Sequence, residues 1–446
     1  MTLRRVCVIG GGPAGYAAAL AAARIGASVL LVEADRLGGQ CVHHTCIPTA
    51  AMLSGMTAFL DAQESALAGV FDLGEEFRWS RLVARKQRLS AQLASGVGRL
   101  LSRAGVEVVA GRAALTAHSG AGGVEVEVAG SDGSVAHHAC DAVVLATGAR
   151  WEAPRIDGVP PERVMTADEI HALDAPPAAA IVMAGGPAAT AFGVEYAFLL
   201  AAAGTSTRLA CATDVVIPAL DADLDPLVRG ALATLGVECV GALDGGIMNG
   251  NEIVVAADTR LPGLDGLGLQ DAGIATAGHV LVDRAQRTAA DAIFAAGDVT
   301  GGVMTSAAAE YSGRVAGANA AGATQRARAG ATPHVLHTLP EIAWIGRTEA
   351  EARDAGADVR VGIVDLASTA RAVTLGNRDG ACKLVADATT GEILGVHVIG
   401  AGSAEIVAVG ALAIQAEIGV DQLAETIQWH PASSESLSAA ARAATR

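Results

Sequence analysis

Two cysteines, Cys41 and Cys46, are the residues of this sequence that are best suited to redox chemistry. Four residues separate them in the stretch GGQCVHHTCIPTAAML. Pro48 suits the first turn of a helix that follows the second cysteine. A thiolate at a helix N-terminus is stabilised by the helix dipole and by free backbone N–H groups, which lowers its pKa. We therefore predict that this pair is chemically active.

Two alternatives remain for the pair: unrelated buried thiols, or half of a zinc site. Zinc would need two further Cys or His ligands at short spacing. His43 and His44 lie inside the loop, and we expect no metal. The other cysteines are scattered singly and predict no framework of structural disulfides: Cys7, Cys140, Cys211, Cys239 and Cys382.

A glycine turn near the start of the chain predicts a dinucleotide site. Residues 5–33 have the pattern of a strand, a turn with Gly10, Gly12 and Gly15, an Ala-rich helix and a second strand. Such glycines let the backbone approach a pyrophosphate, and Glu33 is placed to accept hydrogen bonds from a ribose. These residues alone leave open whether the dinucleotide is FAD or a nicotinamide.

A histidine and a glutamate near the C-terminus form a candidate acid–base pair. Glu435 follows His430 by five residues in TIQWHPASSESL. A carboxylate that holds one imidazole nitrogen leaves the other nitrogen free to take a thiol proton. The alternative is an ordinary surface or capping contact.

Composition and charge limit the class of protein. A chain of 446 residues is expected to form about three domains. The net charge of -16 comes with no basic stripe, which argues against nucleic acid as a partner. Prolines and glycines interrupt the longest uncharged stretch, residues 175–194, and no membrane span is expected. The strand pattern that begins at Val6 leaves no room for a leader, so we expect a cytoplasmic protein.

The order of patterns predicts an α/β protein with two Rossmann-like dinucleotide-binding domains and a C-terminal α+β domain. A second strand–turn–helix pattern begins near residue 179, and a buried strand at residues 292–299 precedes a helix at about 304–320. The last hundred or so residues alternate strands with two helices. Residues 322–334 are the best linker candidate.

The sequence resembles the flavoprotein disulfide reductases, the family that includes dihydrolipoamide dehydrogenase and glutathione reductase. The likeness covers nearly the whole chain through the glycine turn and the stretches GGQCVHHTCIP, VVLATGAR, AIFAAGDV, LPEIAWIGRTEAEA and WHPASSE. It implies an FAD-binding domain at 1–150 and 271–328, a nicotinamide-binding-like domain at 151–270, and a dimerisation domain at 329–446. The active unit is then a homodimer.

The resemblance also implies roles for individual residues. Cys41 and Cys46 form a redox-active disulfide, in which Cys46 lies against the flavin and Cys41 exchanges with substrate. His430, with Glu435 behind it, reaches into the partner subunit's site. Asp298 binds the ribityl and phosphate region, although it could be only a turn residue. The full set expected to bind FAD is Gly10, Gly12, Pro13, Ala14, Gly15, Glu33, Gly39, Gln40, Ala113, Thr147, Gly148, Gly297 and Asp298.

The chain departs from the family on the nicotinamide side. The usual lysine four residues after the second cysteine is Ala50 here, and its glutamate partner is matched by Glu195. The alternative for Glu195 is a solvated helix residue. The second glycine turn retains Gly186 but has Ala184 and Ala189 where glycines are expected.

Two further departures concern the same domain. Cys211 and Ala212 stand where a carboxylate or arginines would hold the nicotinamide nucleotide. Residues 236–258 are short for the strands usually inserted there. We predict a lost or weakened NAD(P) site; the alternative is weak NAD binding through backbone groups.

The predicted function is an FAD-dependent dithiol/disulfide oxidoreductase of the dihydrolipoamide dehydrogenase type, which acts on a small or carrier-bound dithiol. Three alternatives stay open. One is an NAD(P)H-independent dithiol oxidase that uses oxygen or a protein acceptor. Another is an NAD(P)H-dependent disulfide or quinone reductase. The third is a flavin-bearing regulatory subunit without turnover.

Overall fold

A computed structural model describes residues 3–70, 72, 74, 77–116, 123–184, 190–243, 248, 250–257, 259–328, 332–376 and 379–445. The chain divides into two compact units, each built from three segments. The first unit contains Met1–Ala51, Arg81–Glu152 and Arg260–Arg328. The second unit contains Met52–Ser80, Ala153–Thr259 and Ala329–Arg446.

The strands and helices up to residue 166 follow in chain order: β1 (Arg5–Ile9), α1 (Pro13–Arg24), β2 (Ser28–Glu33), α2 (Gly39–His43), α3 (Cys46–Leu67), α4 (Trp79–Arg103), β3 (Glu107–Ala110), β4 (Arg112–Leu115), β5 (Val124–Ala129), β6 (Val135–Cys140), β7 (Ala142–Leu145), β8 (Ala149–Trp151) and β9 (Val164–Thr166).

The middle of the chain contains β10 (Ala179–Ala184), α5 (Thr190–Ala202), β11 (Ser206–Cys211), α6 (Asp225–Thr234), β12 (Glu238–Val240), β13 (Ile253–Ala256), β14 (Arg260–Pro262), β15 (Ile293–Ala295) and α7 (Ser306–Ala320). The C-terminal part contains β16 (His334–Leu336), β17 (Ile342–Gly346), α8 (Glu349–Asp354), β18 (Val359–Asp365), α9 (Ala370–Leu375), β19 (Ala381–Asp387), β20 (Ile393–Ile399), α10 (Ser403–Gln415), α11 (Val420–Ala424) and α12 (Glu435–Ala444).

A parallel sheet forms the centre of the first unit. Its strand order is β15-β7-β1-β2-β3, and every neighbouring pair is parallel. Helices α1 and α7 cover one face, where Val8, Leu31 and Phe294 belong to one apolar core. The antiparallel strands β4, β5 and β6 contribute Val126 and Val128 to a second core with Ile9 from the central sheet. This layering is that of a Rossmann-like nucleotide fold.

Glycines in α7 allow that helix to lie directly on α1. A Cβ atom added to Gly313 would lie 2.2 Å from the Ala14 carbonyl oxygen, and one added to Gly317 would lie 2.0 Å from the Ala18 carbonyl oxygen. The two helix backbones are therefore in contact with no side chain between them. Because both helices also pack on the same sheet, their N-terminal ends are held at a fixed separation at one end of that sheet.

The second unit contains a parallel sheet and an antiparallel sheet. The parallel sheet has the order β12-β11-β10-β13-β9, with α5 packed on β10 and β11. The antiparallel sheet has the order β16-β17-β20-β19-β18 and shares an apolar core with α10 and α12 that includes Ile345, Leu384, Val396, Ile406 and Leu437. One nucleotide-type fold and one α+β module therefore make up this unit.

The predicted fold class, with two Rossmann-like regions and a C-terminal α+β region, is confirmed. Two details differ from the prediction. Strand β6 was not predicted, because VAHHAC carries polar residues on an exposed strand of the small sheet. The region after residue 340 has five helices within the described residues rather than two, since three of them, α8, α9 and α11, have only five or six residues and too short an apolar repeat to recognise.

No helix in the described ranges has both the length and the apolar character needed to cross a membrane.

We predict that Gly317→Ala destabilises the protein by roughly 1–3 kcal/mol, because the added methyl group must separate α7 from α1. Urea denaturation of the purified protein measures this change. Gly96→Ala in α4 is the matched control, since the atom nearest to a Cβ there is Arg99 Nη2 at 3.8 Å. That control should gain about 0.5–1 kcal/mol. Equal effects of the two substitutions would contradict the proposed helix contact.

Candidate active site

The glycine turn after β1 adopts a backbone that only glycine accommodates at two positions. Gly10 has φ +103°, and a Cβ there would lie 2.3 Å from the Ala146 carbonyl oxygen. A Cβ on Gly15 would lie 1.8 Å from the Gly10 carbonyl oxygen. Gly12 is the N-cap of α1, and Pro13 occupies the first helical turn. The turn therefore places the N-terminus of α1 at the rim of a cavity.

The cavity lies entirely in the first unit and has a volume of about 570 Å³. Its lining contains most of the residues predicted to bind FAD: Gly10, Gly12, Pro13, Ala14, Glu33, Gly39, Gln40, Ala113, Thr147, Gly148 and Asp298. Gly15 and Gly297 lie behind this lining, where Gly15 packs on Gly10 and a Cβ on Gly297 would meet Ala14 Cβ at 2.7 Å. These two glycines shape the turn and the helix contact rather than the cavity surface.

Glu33 closes the glycine turn from the end of β2. Its carboxylate accepts hydrogen bonds from the Gly11 amide at 2.5 Å and from the Asp35 amide at 2.8 Å. The side chain also lines the cavity. The carboxylate is thus fixed at the cavity wall by two backbone donors.

Both cysteines line the same cavity, and their thiols lie close enough to shift each other's pKa. Cys41 lies in α2, and Cys46 is the first residue of α3. Cys46 Sγ lies 3.3 Å from Ser306 Oγ and 3.6 Å from Thr45 Oγ1. Because Ser306 is the first residue of α7, the Cys46 sulfur lies at the N-terminal ends of two helices.

The groups around the pair shift the pKa values of the two thiols in opposite directions. The neighbouring Cys41 thiol, the Ser306 and Thr45 hydroxyls and the Arg260 guanidinium together lower the pKa of Cys46 to about 6, against the effect of burial. The neighbouring Cys46 and burial raise the pKa of Cys41. At neutral pH, Cys46 is therefore the thiolate and Cys41 keeps its proton.

The two histidines between the cysteines contact groups other than the two thiols. His43 Nε2 lies 2.9 Å from the Leu37 carbonyl oxygen, and burial lowers the pKa of His43. His44 Nε2 lies 3.9 Å from Asp35 Oδ2. Among the described residues there is no group of three or more His, Cys, Asp or Glu side chains that could hold a metal ion.

Arg260 is a site residue that the sequence did not reveal. Its Nη2 donates to Asp298 Oδ2 at 2.5 Å, and its Nη1 donates to the Met304 carbonyl oxygen at 2.8 Å. Burial raises the pKa of Asp298 in spite of this pairing. The arginine begins β14 in TRLPG, which has no distinctive pattern, so only the structure shows that it pairs with Asp298 and lowers the pKa of Cys46.

The cavity also contains polar atoms that suit a large polar cofactor. Within the described part of the chain, Gln40 Oε1 and Arg260 Nε are buried and have no hydrogen-bond partner, and both residues line the cavity. A buried acceptor or donor of this kind is costly unless a ligand satisfies it. The residues present, from the α1 N-terminus to Asp298, therefore fit FAD.

Tyr16 and Glu310 form a second feature that the sequence did not reveal. The Tyr16 hydroxyl donates a hydrogen bond to the Glu310 carboxylate from α1 to α7. Burial raises the pKa of Tyr16, and the negative charge of Glu310 adds to the raised pKa of Cys41. An Ala-rich helix gives no indication that its single tyrosine faces a carboxylate near the thiols.

His430 and Glu435 meet in the second unit as predicted from their spacing. His430 Nδ1 lies 2.9 Å from Glu435 Oε1, and Glu435 Oε2 accepts from the Ala432 amide at 2.9 Å. The Ala432 amide and then His430 lower the pKa of Glu435. The imidazole is 70% exposed, and the neighbouring Trp429 is 81% exposed.

The nicotinamide side is described only in part. Gly186 and Ala189 lie outside the described residues. Glu195 is not a solvated helix residue: it is 5% exposed, and its Oε1 accepts from the His337 amide at 2.8 Å. Cys211 ends β11 and is also 5% exposed. The side chains at these two positions are therefore engaged within the second unit.

Comparison with known proteins gives one consistent result. Residues 4–313 match the family described as pyridine nucleotide-disulphide oxidoreductase, and residues 332–441 match the dimerisation domain of the same family. A dihydrolipoyl dehydrogenase of Chlorobaculum tepidum is 33% identical over 98% of this chain and 96% of its own length. One from Bacillus subtilis is 31% identical over 97% of this chain and 96% of its own length. The crystal structure of LpdA from Mycobacterium tuberculosis has a TM-score of 0.88 and 28% identity, with 99% of each chain covered.

We predict that Ser306→Ala raises the pKa of Cys46, because the thiolate loses a hydrogen-bond donor. A hydrogen bond to a charged group contributes about 1.5 kcal/mol, so alkylation of Cys46 well below neutral pH should slow by about tenfold. Mass spectrometry of the Cys46 peptide after iodoacetamide treatment across a pH series measures this rate. The control is Ser54→Ala, an exposed position of α3. An unchanged pH profile in Ser306→Ala would show that the hydroxyl does not hold the thiolate.

Proposed function

Because this chain belongs to the pyridine nucleotide-disulphide oxidoreductase family, we propose that it is an FAD-dependent dithiol oxidoreductase of the dihydrolipoamide dehydrogenase type. The observation that carries this proposal is the pair of thiols in contact at the cavity, one poised as a thiolate and the other protonated. A site that oxidises a dithiol needs this division of roles. The family is one of flavin-dependent oxidoreductases that act on a sulfur group.

The exchange step uses Cys41 as the entry point. Starting from the Cys41–Cys46 disulfide, a substrate thiolate attacks Cys41 Sγ, and the bond between the two sulfurs breaks with Cys46 as the leaving thiolate. The second substrate thiolate then attacks the substrate sulfur that is bonded to Cys41, and the bond to Cys41 breaks with Cys41 as the leaving thiolate. The substrate leaves as a disulfide, and the two electrons remain on Cys41 and Cys46.

The surroundings of Cys46 favour its role as the leaving group. Ser306, Thr45 and Arg260 stabilise the negative charge that Cys46 acquires when the bond breaks. When bound, FAD supplies a two-electron acceptor for the reduced pair. Gln40, Arg260 and Asp298 are the side chains that would hold it, together with the N-terminus of α1.

His430 is proposed to take the substrate protons. Glu435 fixes its Nδ1, which leaves Nε2 as the basic nitrogen. The proposal places this histidine at the site of the partner subunit in a homodimer. Its support is the high exposure of the imidazole and of Trp429 in the single chain, within the part that matches a dimerisation domain.

We propose that this protein depends less on NAD(P) as its second redox partner than related enzymes do. Cys211 stands at the end of β11 where a carboxylate would be needed to hold a ribose, and Glu195 is already bonded to a backbone amide. These features support a weakened nicotinamide site and favour oxygen or a protein as the second redox partner. The four segments of the domain division given by the resemblance and a cytoplasmic location are part of the same proposal.

Anaerobic reduction of the flavin tests the proposed function. Dihydrolipoamide should reduce the flavin absorbance of the purified protein rapidly, whereas NADH and NADPH should do so slowly. Cys46→Ser should abolish reduction by the dithiol, while Cys239→Ser, which removes a thiol outside the site, should not. If Cys46→Ser is reduced by the dithiol as fast as the unaltered protein, the proposed electron path is wrong. Rapid reduction by NADH would refute only the proposed weakening of the nicotinamide site and would leave the proposed electron path from the dithiol intact.

His430→Gln should lower turnover with dihydrolipoamide by roughly 100-fold to 10,000-fold, as expected for loss of a general base. Mixed dimers test whether the histidine acts across the interface. A dimer of one Cys46→Ser chain and one His430→Gln chain has a complete site only if His430 comes from the other subunit. Restored activity in purified mixed dimers is the predicted result, and inactive mixed dimers would place His430 within its own subunit's site.

A further inference from the structure

A second pair of thiols lies in the second unit and does not line the cavity of the candidate active site. Cys211 is the last residue of β11, and Cys239 lies in the neighbouring parallel strand β12. Leu209 pairs with Cys239 in the strand register, so Cys211, two residues further on, points to the same face. The two thiols lie close enough to shift each other's pKa, and the Cys211 thiol donates to the Leu209 carbonyl oxygen at 3.9 Å.

An arginine gives this pair the electrostatic setting of a reactive thiol. Arg229 of α6 has its guanidinium fixed by Asp225 Oδ2 and by the Asp214 carbonyl oxygen, both at 2.6 Å. The neighbouring Cys211 thiol and the charge of Arg229 together lower the pKa of Cys239 to about 7, against burial and the Asp225 carboxylate. Cys239 thus carries the larger share of thiolate at neutral pH.

The two thiols also differ in access. Cys239 is half-buried and lies on β12, which is the edge strand of its sheet. Cys211 is only 5% exposed. A reagent in solution therefore reaches Cys239 first, with Cys211 behind it.

Another pair of neighbouring thiols in the chain is buried and cannot be reached by a reagent in solution. Cys7 of β1 and Cys140 of β6 also lie close enough to shift each other's pKa, but they are 0% and 5% exposed. Both belong to one apolar core of the first unit. This pair is the internal control for the inference that follows.

We propose that Cys211 and Cys239 form a second redox-active dithiol, which low-molecular-weight disulfides oxidise reversibly. The Cys239 thiolate attacks one sulfur of the small disulfide, and one small thiolate leaves. Cys211 then loses its proton and attacks the Cys239 sulfur, which releases the second small thiolate. Two cysteine thiols and one small disulfide become one protein disulfide and two small thiols, so that two electrons and two protons pass to the small molecule.

The strand geometry makes this disulfide reversible. Diagonal neighbours on adjacent strands have Cα atoms about 8 Å apart, given the spacing of strands and the rise per residue. A disulfide requires less than about 7 Å, so the three-residue edge strand must move by about 1 Å to close it. Strained disulfides are the readily reduced ones, and thiols at ordinary concentrations should reopen this bond.

The test uses the full-length flavoprotein with Cys41→Ser and Cys46→Ser, so that the first pair contributes no exchange. The protein is incubated with oxidised glutathione, digested without reduction and mapped by mass spectrometry. The predicted product is a peptide pair joined through Cys211 and Cys239, without glutathione, that separates again on addition of reduced glutathione. The Cys7 and Cys140 thiols should remain free.

Single substitutions test the order of attack in the same background. With Cys211→Ser, glutathione should stay attached to Cys239, and with Cys239→Ser, Cys211 should stay unmodified. The proposal is overturned if both thiols remain free in the parent protein, if glutathione persists on Cys239 beside an intact Cys211, or if the Cys7 and Cys140 pair oxidises equally. The Cys41→Ser and Cys46→Ser protein by itself decides whether the second pair forms a disulfide, even if a further single variant does not fold. None of these measurements depends on the proposed function.

Discussion

The interaction between the Cys41 and Cys46 thiols is the one on which the candidate active site depends. It gives the two sulfurs opposite character, since the pKa of Cys41 is raised and that of Cys46 is lowered. The Ser306 hydroxyl and the Arg260 guanidinium strengthen that difference from other elements of the same unit. Electron transfer by thiol–disulfide exchange needs one sulfur that receives an attack and one that leaves easily. The geometry supplies one of each.

The packing of α1 on α7 places these groups relative to one another. Gly313 and Gly317 bring the α7 backbone onto the backbone of α1, and the glycine turn and Ser306 lie at the N-terminal ends of these two helices. The cavity for the cofactor and the hydroxyl that contacts Cys46 are therefore parts of one rigid arrangement. An Ala-rich and Gly-rich composition, which says little about chemistry, is what permits this close contact.

Local sequence patterns predicted the elements that carry the site, because each of them has a strong local cause. The continuous apolar run of residues 6–9, the required glycines and Pro13 define β1, the turn and α1. The same holds for the contact between His430 and Glu435, which are only five residues apart. Arg260, Tyr16, Ser306 and Glu310 could not be found in this way. Their partners lie far away in sequence, and only the folded chain brings them to the thiols.

In the second unit, the sequence indicated departures from the related fold on the nicotinamide side. The structure shows which contacts the departing residues make. The residue at the end of β11 is a buried thiol in contact with another thiol, where the related fold would need a carboxylate. Glu195 is occupied by a backbone amide. The proposed weakening of the nicotinamide site and the presence of two neighbouring thiols at the same strand end are consistent with each other.

The most direct test of the central claim is a peptide map of the air-oxidised, unaltered protein under non-reducing conditions. The account predicts a disulfide between Cys41 and Cys46 within one peptide, which opens when dihydrolipoamide is added without oxygen. Free thiols at both positions in the oxidised protein, or a bond from either of them to a different cysteine, would contradict it.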